Sequence, residues 1–472
     1  MENTNNGTLI NNNCSNNYEN GILLYNGCDN NTISGNIASN FFISQQDIGI
    51  YLLTDCDNNT ISGNTVNSNI YGISLQDDSD DNFISGNTVN SNNYGIILDD
   101  NCINNTILEN TVNNNYVYGI YISNSLDAEL SENQMNGCGV GINGSLTQMS
   151  SHKIYTNNTV NGRILYYYVN ENGLDAINFT GGGQVILINC NNSIISNLNV
   201  SRTSIGIYLY YCDNNNVLEN TANNNDHHGI YLNFGCDNNT IWGNNITYND
   251  EYGVYLDNSH NNTVIKNEIK YNDKHGMYIV SSNYTTIFNN TITNNAQTSN
   301  ENGIYLDNSH WNNITGNRIT NNTYYGIEFV QSDNNTIVLN DISFNKLGIN
   351  ILTDSDYNIL YLNSFKNNTN HAFDNGTGNR WDNGVIGNYW DNYTGSDPDD
   401  DKIGNTPHPI PGSGGSQDNK PIWDDGPDGS DNGGGGDDDD GGDVVILGYD
   451  LFVLIGVIAA LSLVFYRKRF KN

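Results

Sequence analysis

GIYLNFGCDNNTIWGNNITYNDEY, residues 229–252, is three short apolar pulses set between Asn, Gly and Asp. In Gly229-Ile-Tyr-Leu the alternation puts Ile230 and Leu232 on one face and Tyr231 on the other, which is the period of a strand. Thr240-Ile241 reads as a second strand and the residues around Ile246 as a third. Strands this short, separated by turn-forming residues, describe one triangular coil. They leave no room for the helices of leucine-rich or ankyrin units.

The same phrase recurs along the chain. A glycine ahead of an apolar–x–apolar triplet stands at Gly21, Gly49, Gly72, Gly95, Gly119, Gly141, Gly162, Gly183, Gly206, Gly229, Gly253, Gly276, Gly303, Gly326 and Gly348. Most steps are 21 to 24 residues, and those of 28 and 27 carry insertions at 41–48 and 296–302. Gly162 and Gly183 rest on spacing more than on motif. The expected fold is all-β: a single-stranded, right-handed parallel β-helix of about 15 coils, in one phase from residue 21 to 348. Each coil buries its apolar edge only against its neighbours, so the core is continuous and quasi-one-dimensional.

Two columns test that register. Ile-x-x-Asn recurs with Asn36, Asn64, Asn87, Asn110, Asn220, Asn244, Asn267, Asn290, Asn317, Asn340 and Asn363; stacked amides at strand spacing satisfy turn backbone groups. The second holds only small residues: Cys28, Cys56, Ser79, Cys102, Ser125, Cys190, Cys212, Cys236, Ser259, Ser282, Ser309, Ser332 and Ser355. Neighbours such as Cys28 and Cys56 lie within disulfide reach, but interchange with Ser favours reduced packing thiols.

With 48 Gly, 31 Tyr, only 16 Lys plus Arg and a net charge of −36, the surface repels phosphate backbones, so nucleic acid is excluded as a partner. Met1 to Ile10 is polar and is no secretory leader; one is expected upstream, because the far end looks exported. Residues 413–443 are a Gly/Asp spacer that includes GGGGDDDDGG, an extended self-repelling linker. Residues 444–466 are apolar and are followed by the basic 467–472. That reads as one C-terminal transmembrane helix with the tail cytoplasmic and the β-helix outside the cell. Sequons at Asn58, Asn238, Asn261 and Asn392 agree with export, although the NNT repeat generates most of them.

Coils of the form GIxLxxSxNNTIxGN resemble the parallel β-helix repeats of NosD-like, carbohydrate-binding and sugar-hydrolase proteins. NTVNGRILYYYVNENG (158–173) with GQVILINCNNSIISNLNVS (183–201) resembles a mid-protein segment of NosD-like chains. GNYWDNYTGSDPDDDKIGNTPHPIPGSGGSQDNKPI (387–422) resembles their cap. The resemblance implies the β-helix over 1–363 and a cap over 364–412. It also implies copper, for which this sequence offers four Met and no His or Cys pair at ligand spacing.

The outward position of Gly-Ile-Tyr-Leu carries Tyr208, Tyr231, Tyr255, Tyr278 and Tyr305 over successive coils. This strip is either a sugar-stacking face or a ladder that stabilises the sheet. Asp257 and Asp307 point the same way two coils apart, about 9.6 Å at strand spacing. That separation suits an inverting glycosidase, but Val280 stands between them and no Arg or Lys accompanies them. His260 and His310 fill a turn column otherwise held by Asp29, Asp57, Asp213, Asp237 and Asp333. Hard cations have better candidates. Asp226, Asp250 and Asp273 stack ahead of successive coil glycines, and Asp397, Asp399 and Asp401 spell a D-x-D-x-D calcium loop. In that loop Lys402 stands where Gly is wanted and Asn405 replaces an Asp. The expected function is a non-catalytic, membrane-anchored rod that presents a face to an extracellular polysaccharide or surface protein. A polysaccharide lyase or hydrolase is the alternative, and NosD-like copper delivery is a second.

Overall fold

The computed structural model describes residues 1–40, 47–297 and 300–423. Residues 424–472, with the expected membrane segment 444–466, its tail and most of the linker, lie outside the described residues. Among the described residues no helix is long and apolar enough to cross a membrane. The chain to Trp423 is one compact unit, a parallel β-solenoid of about 16 turns.

A coil has the form its sequence predicts. Ile230–Asn233, Thr240–Trp242 and Asn245–Thr247 are its three strands. Each pairs in parallel with its equivalent one coil on, through Ile230↔Val254, Ile241↔Val264 and Ile246↔Ile269. Those apolar side chains are fully buried, and removing one such chain costs about 2–5 kcal/mol. The coil glycine is steric in origin. A Cβ on Gly229 would stand 2.4 Å from Cγ2 of Ile246 and 2.8 Å from the Gly253 carbonyl.

Asparagine ladders run along three corners, not one. Asn244 Nδ2 donates to Asn267 Oδ1 at 2.9 Å and to the Val217 carbonyl at 2.9 Å, while its Oδ1 accepts the backbone N–H of Asn220 at 2.9 Å. Asn215–Asn239 and Asn249–Asn272 repeat the pattern on the other corners, at 3.1 and 2.8 Å. The small-residue column is equally direct. Backbone N–H groups of Cys190, Cys212 and Cys236 reach the side chains of Cys212, Cys236 and Ser259 at 3.2, 3.3 and 3.4 Å. All eight cysteines are free thiols.

The stack is not continuous, however. Gly162 opens no coil. Asn161 and Gly162 have φ of 53° and 71°, the two left-handed residues of a tight hairpin turn that pairs Val160 with Arg163 antiparallel. Gly183 is out of register too. The ladder passes from Ile164↔Gly182 to Leu165↔Gln184, and Val185↔Ile207 then sets Gln184 level with Gly206. Reversing the strand while the winding keeps its hand moves the coil axis to the other face of the shared sheet. The single phase expected from 21 to 348 is therefore two stacks joined by one 15-stranded sheet. That sheet takes the third strands of the first stack, from Thr65–Asn67, and the first strands of the second, to Asn370–Asp374. Side chains divide accordingly. Val185, Leu187, Ile207 and Leu209 enter the second core, while Ile186, Ile188, Tyr208 and Tyr210 close the end of the first.

The cap runs past the boundary expected at 412. Asp418 is fully buried. Its Oδ2 accepts the Asn388 backbone N–H at 2.7 Å and Trp390 Nε1 at 3.0 Å, and Asn388 Oδ1 in turn receives Asn363 Nδ2 at 2.9 Å. A carboxylate thus ends the asparagine ladder where no further coil can supply an amide.

Candidate functional site

Reversal at 161–162 exposes the outer face of the second stack's first strands beside the end of the first stack. The tyrosine column lies on that face in register: Tyr208↔Tyr231↔Tyr255↔Tyr278↔Tyr305, with Glu328 and Asn350 following. Not all of it is available. Tyr208 is 5% exposed and packs with the first core, and Asn233 Nδ2 donates to its hydroxyl at 3.0 Å. Tyr231 is partly covered by the same core. Tyr255, Tyr278 and Tyr305 remain half-buried on the open face.

Nor is the strip flat. Tyr231 and Tyr255 stack at 4.4 Å and 1°, Tyr255 and Tyr278 at 5.0 Å and 7°. From Tyr231 to Tyr278 the rings cover one another, and Tyr305, tilted 56° to Tyr278, is covered by His275, so the apolar faces that sugar stacking needs are already taken. The ladder reading of these residues is the one the geometry supports.

A second column, just ahead of the coil glycines, interleaves with the first. His228 stacks on Tyr252 at 5.1 Å, Tyr252 on His275 at 5.4 Å, and His275 on Tyr305 at 4.7 Å. A third column is charged. Lys274 Nζ lies 2.6 Å from Glu251, and His227 and His228 approach the same carboxylate at 3.4 and 3.5 Å; His275 meets Glu301 at 3.3 Å. Burial pushes His228 and His275 down to about 3, so both imidazoles are neutral at pH 7 and Lys274 is the counter-charge of Glu251. Burial raises Glu251, but the hydrogen bond from His227, the electrostatic pull of His228 and the hydrogen bond from Lys274 outweigh it and hold the carboxyl down to about 2. None of these was singled out from sequence, although reading the residue before each coil glycine (His228, Tyr252, His275) would have found the second column.

Asp257 and Asp307 sit where expected, two register steps apart with Val280 between. Tyr255 donates its hydroxyl to Asp257 Oδ2 at 3.4 Å, and burial raises both carboxyls. Glu328 ends the tyrosine column, held by Asn302 Nδ2 at 2.6 Å and Asn350 Nδ2 at 2.8 Å.

Among the described residues, one set of three acidic or soft donors comes within 4.8 Å of mutual contact: Asp397, Asp399 and Asp401. Lys402, in the place where such a loop calls for glycine, holds φ 68°. Asp397 accepts the N–H of Lys402 at 2.8 Å. Asp226, Asp250 and Asp273 do not form such a set. Asp226 lies at the seam with the first stack, where burial, then Asp250, raises its carboxyl to about 8. His260 and His310 do the work of the aspartates they replace, their Nδ1 accepting the N–H of Asn283 and Asp333 at 3.1 and 3.0 Å. Copper favours thiolate, thioether and imidazole donors. Seven of the thiols are buried, six of them in the small-residue column, and Tyr252 separates His228 from His275. These donors do not fit a copper ion.

Two offset stacks with an aromatic, carboxylate-lined face define a solenoid of the parallel β-helix class. The chain belongs to the NosD family: the family described as "Periplasmic copper-binding protein (NosD)" matches residues 1–182, 159–300 and 289–395. No curated protein matches it. Among solved structures, it is similar to the A-module of mannuronan C-5 epimerase AlgE4 from Azotobacter vinelandii, at 15% identity and TM-score 0.36 over 76% of this chain and 90% of that one. The periplasmic alginate epimerase AlgG is 14% identical, with TM-score 0.31 over 73% of this chain and 76% of its own. Tailspike protein 3 of bacteriophage CBA120 is 11% identical, with TM-score 0.26 over 78% and 52%.

Proposed function

We propose that the chain is a non-catalytic surface protein whose second stack offers its tyrosine face to a polysaccharide on the outer side of a membrane. The observation that carries this reading is the column Tyr255, Tyr278 and Tyr305, in register beside Asp257 and Asp307. Hydroxyls repeated once per coil, with a carboxylate two coils from the next, offer donors and acceptors at a pitch a linear polymer can follow. Stacking against sugar faces is not part of the reading, because the rings cover one another. Membership of a family described as periplasmic supports the outer side, and residues 444–466 with the basic 467–472 supply a single-pass anchor.

The test is a glycan array probed with the detergent-solubilised full chain. Tyr255→Phe with Tyr278→Phe keeps the ladder and removes two hydroxyls. Retained glycans should be bound at least tenfold more weakly, and unchanged affinity overturns the reading. The competing reading makes Asp257 and Asp307 the acid and base of a lyase or hydrolase; their raised protonation favours it. Reducing-end or unsaturated products from any bound glycan would establish it. We also propose Ca²⁺ at Asp397, Asp399 and Asp401, checked by a calcium-dependent rise in Tm that Asp399→Asn abolishes.

A further inference from the structure

We infer that Asn334 carries an N-linked glycan whose first sugar is held between Trp311 and Tyr357. The inference rests on the proposed placement of the β-helix outside the membrane and adds a modification site to it. Asn334-Asn335-Thr336 is an acceptor sequon. Its middle residue is committed to the fold, because Asn335 is a buried ladder rung whose Nδ2 donates to Asn358 Oδ1 at 3.0 Å. Asn334 stands at the corner just before that rung, with φ 58°, and both it and Thr336 are partly exposed. Among the described residues the side-chain amide of Asn334 holds no hydrogen bond, so its Nδ2 is free to be modified.

The repeat accounts for the Asn and the Thr, but not for what flanks them. Backbone bonds keep this corner in step from coil to coil: the N–H groups of Tyr284, Trp311 and Asn334 donate to the carbonyls of His310, Asp333 and Asp356 at 3.1, 3.1 and 2.9 Å. Earlier coils of the second stack hold Asn214, Asn238 and Asn261 there, with φ of 58°, 59° and 55°. Tyr284, Trp311 and Tyr357 take the same left-handed backbone, at 59°, 54° and 57°. Asn tolerates that conformation and a bulky side chain does not. Burial does not offset the strain, since the three are 55%, 49% and 61% exposed. Tyr284 covers one face of Trp311 at 5.8 Å and 12°, and Tyr357 leans the other way, onto Gly378. Their remaining faces look across the coil of Asn334. Two strand spacings separate them by about 9.6 Å. A sugar ring between two aromatic faces needs about 8 Å, two carbon contacts of about 4 Å each. The donor is a lipid diphosphate-linked oligosaccharide, used by a membrane oligosaccharyl transferase. Nδ2 of Asn334 attacks C1 of the first sugar, the C1–O bond to the diphosphate breaks, the lipid diphosphate leaves and Nδ2 gives up one proton. Nothing is oxidised or reduced.

Glycopeptide mass spectrometry of the full chain, purified from its native membranes, reads the site and should find Asn334 occupied. Thr336→Val removes the acceptor and keeps the Asn335 rung, and it should lower Tm by about 2 °C. In a Trp311→Asn, Tyr357→Asn background each corner regains the residue that suits its backbone. There the same change should move Tm by less than about 0.5 °C, because no slot holds the sugar. A bare Asn334 beside an occupied Asn58 or Asn238, or an equal loss of Tm in both backgrounds, would overturn the inference while leaving the outer placement intact. Bare sequons throughout would overturn it too, and protease access to the β-helix on intact cells then shows whether the outer placement fails with it.

Discussion

Gln184 reaches from the first full coil of the second stack into the end of the first, its Nε2 donating to the Val140 carbonyl at 2.7 Å while its Oε1 accepts the Val140 N–H at 2.9 Å. It occupies the register position of a coil glycine and is fully buried. This amide completes the backbone of a strand that has no further neighbour in its own stack. Gln184→Leu keeps the volume and removes both of these bonds and the one from Nε2 to the Ile205 carbonyl at 3.1 Å, leaving the Val140 backbone groups bare. The expected loss is about 2–4 kcal/mol, since each orphaned group costs about 1–3. The midpoint of urea unfolding measures it, and a change below about 0.5 kcal/mol would mean water replaces the amide.

In mid-ladder, Asn267 receives Asn244 Nδ2 at 2.9 Å and passes its own Nδ2 to Asn290 Oδ1 at 2.9 Å. Asn267→Ala breaks the ladder in both directions. A loss of about 2–3 kcal/mol follows from the unpaired amides it leaves. Asn313→Ala, on an exposed strand position, serves as the control and should move the midpoint little.

Asp226 sets a pH dependence. Its carboxyl rises from 3.8 to about 8 in the fold, by burial first and Asp250 second. The folded chain then holds a proton that the unfolded chain has released, so stability falls as pH climbs from about 4 to 8 and levels off above. His228 and His275, lowered to about 3, act in the opposite sense and finish by their ordinary 6.5. Between about pH 6.5 and 8.5 the decline in Tm should belong largely to Asp226 and shrink in Asp226→Asn. A variant that declines as steeply as the parent would place the proton elsewhere.

Thiol chemistry gives a count. Cys14 is partly exposed and the other seven cysteines are buried. Burial raises Cys56 and Cys138 to about 11 and Cys102 and Cys190 to about 12, and the thiolate is the reactive form. Native protein should release one equivalent of thionitrobenzoate quickly from Ellman's reagent, and eight after denaturation. Several fast thiols would show that the coils open readily, and fewer than eight after denaturation would reveal a disulfide.

Period and side-chain alternation were legible in the sequence because each coil obeys local rules. Inward positions must be apolar, corners must be small or Asn, and the glycine must clear the third strand, so Ile230, Asn244, Cys236 and Gly229 announce their places without a partner being known. The tyrosine column and the pair Asp257 and Asp307 were legible for the same reason, and the cap aspartates by motif. Ring orientation was not, since whether Tyr255 shows a face or an edge depends on Tyr231 and Tyr278 packing against it.

Sequence by itself therefore determined the coil, its register within each stack and the residues each column carries, all consequences of side-chain volume and strand period repeated over a short range. Only the tertiary structure decided where the solenoid turns over. One Asn-Gly hairpin at 161–162 keeps the spacing nearly intact while it reverses the strand, and reversal carries the axis to the opposite face of the shared sheet. That shift buries Tyr208, frees Tyr255 and brings Asp226 against the first stack, because what a column meets depends on which side of the sheet the next core is built.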